Sequence, residues 1–189
     1  MSKAIATIVS WLALAAVVLP VWAAPTVSVG SATVHTGDTF TIEISIAGAE
    51  SLQAWQFDLA FDPAILQANS ISEGSFMPGF GATLFVPGVI DNGSGLITLT
   101  ADLFVDLDPY PSGDGVLAQV EFLALAVGTS DVVLSNVLFD FGSTDPALGH
   151  GLVTVIAPVP EPGTLALSAL GLGVVALRGR RKGRGDSAV

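Results

Sequence analysis

The densest group of chemistry-bearing side chains is an acidic run, Asp102, Asp106, Asp108 and Asp114, within the segment DLFVDLDPYPSGDG. Calcium takes about six to eight oxygen ligands, and loop carboxylates with neighbouring carbonyls supply them. Asp106 and Asp108 alternate, so an extended backbone puts both on one face. These four aspartates are the predicted calcium ligands; the competing reading is a solvated acidic loop. The segment is not an EF-hand, because the D-x-D-x-D-G spacing and its closing Glu are absent. Tyr110 stands between Pro109 and Pro111. It is predicted to be rigid and exposed, a platform on which a sugar ring could stack. Asp140 and Asp145, around Phe141-Gly142-Ser143-Thr144, form a weaker acidic group.

No catalytic constellation accompanies these acids. The chain has no cysteine, which excludes disulfides, thiolate metal sites and thiol nucleophiles. His35 and His150 are its only imidazoles. Gly93-Ser94-Gly95 lacks the spacing and the strand–elbow–helix context of a serine nucleophile. Two carboxylates can hydrolyse glycosides, but in a chain this acidic such pairs arise by chance and none is singled out. A non-enzyme is expected. Asn92-Gly93-Ser94 matches a glycosylation sequon and carries little weight.

The charge distribution excludes further classes. The six basic residues are Lys3, Arg178, Arg180, Arg181, Lys182 and Arg184, all near the two ends. Of the 17 acids only Glu161 and Asp186 lie outside Ala24–Ile156, so that region carries 15 carboxylates and no Lys or Arg. Nucleic acid needs a basic footprint, so it is excluded as a partner. Lys/Arg–carboxylate salt bridges cannot form there, and salt or a bound cation should relieve the self-repulsion.

The elements that must position these groups are strands. Phe40, Ile42, Ile44 and Ile46 alternate with polar residues, as do Trp55, Phe57, Leu59 and Phe61, the pattern of half-buried strands. Trp55 is therefore expected in the core. Asp62-Pro63 ends the second strand, and Ala64-Ile65-Leu66 is expected to make a helical turn. Asp91-Asn92-Gly93 signals another turn. Further strands are expected over Leu96–Phe104, Val116–Leu125, Asp131–Phe139 and Leu152–Ile156. Short strands separated by turn signals argue for an antiparallel sandwich. At 133 residues, Ala24–Ile156 can bury roughly two-thirds of its unfolded surface without covalent staples.

Both ends read as address labels. Lys3, the apolar stretch Ile8–Leu19, the break at Pro20 and the small residues after it make residues 1–23 a secretory signal. Cleavage between Ala23 and Ala24 is preferred, because a cut one residue later would set Pro25 beside the scissile bond. Residues 157–163 form a Pro-rich linker containing Pro160-Glu161-Pro162. Residues 164–177, TLALSALGLGVVAL, form an apolar helix, and the basic tail 178–189 follows at once. The arginines hold that end in the cytoplasm by the positive-inside rule. As a helix, residues 164–177 rise only ~21 Å, against a hydrocarbon core of ~30 Å. So short a transmembrane helix suits temporary retention, in the way GPI signals are read and then removed. Arg184-Gly185-Asp186 lies beyond it and is taken as a chance tripeptide.

Two family resemblances rest on these residues. Val159-Pro160-Glu161-Pro162, the short apolar helix and the arginines resemble the PEP-CTERM sorting signal. The resemblance implies an exosortase-like partner, cleavage near Pro160-Glu161-Pro162, and delivery to the surface or matrix of a Gram-negative bacterium. Gln56–Leu66, running into Asp62-Pro63-Ala64-Ile65-Leu66, resembles the cohesin pattern. So do Gly113–Phe122 and Leu134-Ser135-Asn136-Val137. This resemblance implies a jelly-roll β-sandwich of about nine strands over residues 24–156 and a non-catalytic binding module. Dockerins are that family's known ligands; they are not carried over, because this chain has one such domain and no scaffold array.

The expected function is thus an exported surface or matrix protein that binds or adheres through its sandwich, handled in transit by signal peptidase and an exosortase-like enzyme. Its ligand would be a surface protein or, alternatively, a polysaccharide, and the C-terminal helix would hold the precursor at the membrane.

Overall fold

The computed structural model describes residues 24–140 and 146–158, together with Leu172. The expected signal peptide, the Pro160-Glu161-Pro162 motif, the basic tail and, apart from Leu172, the apolar helix lie outside those residues, as do Ala23 and Asp145. Among the described residues no helix is long and apolar enough to cross a membrane.

Among the described residues twelve strands make two sheets. They are β1 (Thr26–Val29), β2 (Ala32–His35), β3 (Thr39–Ala49), β4 (Ala54–Ala60), β5 (Leu66–Glu73) and β6 (Thr83–Val86), followed by β7 (Val89–Asp91), β8 (Leu96–Phe104), β9 (Gly113–Ala124), β10 (Gly128–Phe139), β11 (Ala147–Leu148) and β12 (Gly151–Ile156). One sheet runs β11-β1-β3-β9-β5. The other runs β2-β12-β10-β4-β8-β6, with β7 also paired to β8. The expected all-β sandwich is present, and β8 has the bounds read from sequence. The pairing is antiparallel as expected except at two places, where β1 pairs with β11 and β12 with β2 in parallel. The strand count exceeds nine because short pieces such as β6, β7 and β11 are too brief to show a period.

Alternation explains the core. Ile42, Ile44 and Ile46 of β3 face inward, as do Ala118, Val120, Phe122 and Ala124 of β9 and Trp55, Phe57 and Leu59 of β4. Each large apolar side chain so buried contributes roughly 1.5–3 kcal/mol relative to exposure. Trp55 stacks on Phe57 with ring centroids 5.1 Å apart. Phe61 meets Phe122 edge-on at 5.2 Å.

Turn chemistry completes the frame. Asp62 Oδ1 accepts the amide of Ala64, and the amides of Ile65 and Leu66 donate to the Asp62 carbonyl, so the expected helical turn forms. Asp91 caps its turn by accepting the amides of Gly93 and Ser94 and the Ser94 hydroxyl. These bonds, led by the hydroxyl, favour the charged form and hold the Asp91 carboxyl below its ordinary range. The Asn92 side chain clasps the backbone amide and carbonyl of Ala68.

Candidate docking face

The outward face of the larger sheet is built by strand register. Leu138 of β10 lies beside Gln56 of β4, Gln56 beside Ala101 of β8, and Ala101 beside Val86 of β6. A second row sets Ala54, Leu103 and Leu84 side by side. Because cross-strand neighbours share a face, these residues form one surface across four strands. Leu84, Val86 and Leu138 are exposed. The rows enclose a shallow groove of about 400 Å³, whose lining is mainly apolar. Val133, Leu152 and Ile156 extend exposed apolar surface over β10 and β12. A domain with no Lys or Arg thus presents aliphatic side chains on a sheet face bordered by Asp58 and Asp131.

Two bulges shape this face, and one carboxylate holds both. Leu99 (φ 56°) and Asn136 (φ 49°) adopt left-handed backbone inside β8 and β10. Asp58, on the strand between them, accepts the Leu99 amide at 2.7 Å through Oδ1 and the Asn136 side-chain amide through Oδ2. Non-glycine residues take such conformations only when their surroundings fix them. Asp140 secures the end of the face by accepting the amides of Gln53 and Ala54, where β4 begins.

The predicted calcium ligands do not converge. Asp106 is exposed and accepts the amide of Ala82. Asp108 is exposed on the loop, and Asp114 accepts the amide of Gly48. Asp102 faces the core at 3 % exposure. Among the described residues no group of three or more His, Asp or Glu could hold a metal ion. The physical reason is that β8 carries Asp102 inside the sandwich while the proline-rich loop carries Asp106 and Asp108 outside it. The reading of Tyr110 is also corrected. It is half-buried, packed on the core, with its ring edge-on to Phe104 at 6.1 Å. Among the described residues Phe80 alone is an exposed aromatic, so the face offers no pair of coplanar rings.

One functional group went unnoticed in the sequence. Glu73 pairs with Ala118, which is fully buried, so its side chain faces the inter-sheet space. Its charge acts on Asp102, which faces inward from the opposite sheet. Burial first, and the Glu73 charge second, push the Asp102 carboxyl up to about 7. The signal was the spacing Ile71–Glu73: two residues beyond a core isoleucine is the same face.

The comparisons with known proteins agree with this architecture. The cohesin domain profile matches residues 25–149, and the PEP-CTERM protein-sorting motif matches residues 158–182. The chain is 25 % identical over 146 residues to the cellulose-binding protein A of Clostridium cellulovorans. Those residues are 77 % of this chain, which spans only 7 % of that relative's length. A non-cellulosomal cohesin from Archaeoglobus fulgidus superposes with a TM-score of 0.59 at 19 % identity, covering 71 % of this chain and 93 % of that one. The third ScaC cohesin of Acetivibrio cellulolyticus, solved in complex with a ScaB dockerin, gives 0.58 at 22 % identity, covering 70 % and 99 %. The chain belongs to the cohesin family, and with its sorting motif it is an exported, surface-associated binding module.

Proposed function

We propose that the chain is a non-catalytic protein-docking module displayed outside a Gram-negative cell, and that its partner seats on the outward face of β10-β4-β8-β6. The observation that carries this is the aliphatic surface of Leu84, Val86, Leu103 and Leu138 in a domain without Lys or Arg. Aliphatic contacts supply affinity, and the surrounding carboxylates select the sign of the partner's charge. The complementary partner is a protein with an apolar patch rimmed by Lys and Arg. The dockerin complex of a fold relative makes dockerin-like domains the first class to try.

The sorting motif supports a route to that position. Signal peptidase releases the N-terminus after Ala23, and residues 164–177 hold the precursor at the inner membrane. An exosortase-like enzyme then cuts near Pro160-Glu161-Pro162, freeing the sandwich for the cell surface or biofilm matrix.

Calorimetric titration of the exported protein with purified dockerin domains, beside a glycan array, tests the reading. The expected result is binding to a dockerin that is lost in Leu84→Asp and Leu138→Asp. Binding to a polysaccharide alone would replace it with a carbohydrate-binding module.

A further inference from the structure

We propose that Glu73 and Asp102, with the Thr83 hydroxyl, form a calcium site between the two sheets that clamps β5 to β8 at the open edge of the sandwich. The site lies on the inward side of the strand whose outward side forms the docking face, and apart from the acidic loop expected from sequence.

Register supplies the geometry. Asp102 pairs with Trp55 on one side and with Phe85 on the other. Trp55 is buried and Phe85 packs on the core, so Asp102 points inward between two aromatic side chains whose centroids are 6.2 Å apart. Glu73 comes from the facing sheet, at the end of β5, next to fully buried Ala118. Thr83 opens β6 and donates to Glu73 Oε1 at 2.6 Å, which leaves its oxygen lone pairs free. Carboxylates from two sheets and a hydroxyl from a third strand thus meet in one place.

The site is also unsatisfied. Asp102 is 97 % buried, and neither carboxylate oxygen has a hydrogen-bond partner in the structure. Buried carboxylates are costly unless paired, because their mutual repulsion adds to the loss of hydration. The usual partner is a Lys or Arg, and Ala24–Ile156 contains neither. The neighbouring inward residues of β8, Thr100 and Phe104, bring no charge, and neither do Ile71 on β5 or Ala118 on β9. Neutralisation must come from outside this domain. All the available ligands are hard oxygens, which suit calcium and disfavour zinc or copper. Two carboxylates and one hydroxyl leave room for water, the pattern of weak extracellular calcium modules with dissociation constants of about 10⁻⁴–10⁻³ M. A proton is the competing occupant, since without a cation Asp102 is pushed up to about 7.

The test uses the exported protein stripped with chelator. Thermal unfolding is followed at pH 8 with millimolar calcium, with magnesium, and with sodium of matched ionic strength. In parallel, terbium is titrated while Trp55 is excited, because a lanthanide beside Asp102 would be sensitised by that indole. Calcium should raise the midpoint more than either control and should quench the terbium emission by displacement. Asp102→Asn and Glu73→Gln should each weaken terbium binding at least tenfold, while Asp106→Asn leaves it unchanged. Sensitised emission that survives Asp102→Asn would overturn the proposal. So would equal midpoints in all three salts, which would leave a shared proton as the only occupant.

Discussion

Asp58 and Asn136 stand on adjacent strands, and the Asp58 carboxylate accepts the Asn136 side-chain amide while its other oxygen holds the Leu99 amide. One side chain on the central strand therefore fixes a left-handed residue on each neighbour. The curvature of the aliphatic face depends on this contact, because Leu138 follows one bulge and Ala101 and Leu103 follow the other.

Asp58→Ala should destabilise the domain by about 1–3 kcal/mol, since two hydrogen bonds to a charged group are lost and the Leu99 amide and Asn136 side chain turn to water instead. Urea unfolding measures this, as a lower midpoint with an unchanged slope. Partner binding should weaken as well, since both bulges border the groove. A variant as stable as the parent would show that the bulges are held by packing alone.

The Asp102 carboxyl gives a pH dependence with a definite sign. Its folded value is raised to about 7, from an ordinary aspartate value near 3.9 in the unfolded chain. The unfolded chain therefore releases this proton first as pH rises. In chelator, stability is fully present below about pH 4, declines up to about pH 7, and is level above that as far as this group is concerned. Asp102→Asn should remove most of the decline and be more stable than the parent at pH 8. Denaturant midpoints for both proteins between about pH 5 and pH 8 measure the difference, which cancels the general self-repulsion of the acidic surface.

The sorting motif predicts the mature terminus. Mass spectrometry of protein released from the cell surface should find a C-terminus within residues 159–163, with the six basic residues lost along with the two ends. Glu161→Ala should keep the tail attached and the protein in the membrane fraction. Mature protein extending past Gly163 would contradict processing at the motif.

Much of the fold was legible because a half-buried strand shows its period. Phe40 to Ile46 and Trp55 to Phe61 alternate cleanly, and the structure buries them accordingly. Asp102, Asp106, Asp108 and Asp114 do not gather at one place, because nearness in sequence is not nearness in space. β8 continues to Phe104, so Asp102 belongs to a strand and turns inward, while its companions sit on the loop. Glu73 was hidden for the complementary reason. Its partner lies across the sandwich, a relation that no local pattern carries. Tyr110 looked free between two prolines, yet rigidity says nothing about direction, and its ring turns toward Phe104. The docking face was illegible because Leu84 and Val86 lie on β6, a strand of four residues, and because bulges at Leu99 and Asn136 decide which aliphatic residues point outward.

Site-resolved crosslinking on the producing cells tests the central claim most directly. A photoreactive residue is placed at Leu84, at Leu138, or at Thr41, an exposed position on the opposite sheet. Protein docking on the β10-β4-β8-β6 face predicts one discrete protein adduct shared by Leu84 and Leu138 and none from Thr41. An adduct from Thr41 alone, or no protein adduct from either leucine position, would contradict it.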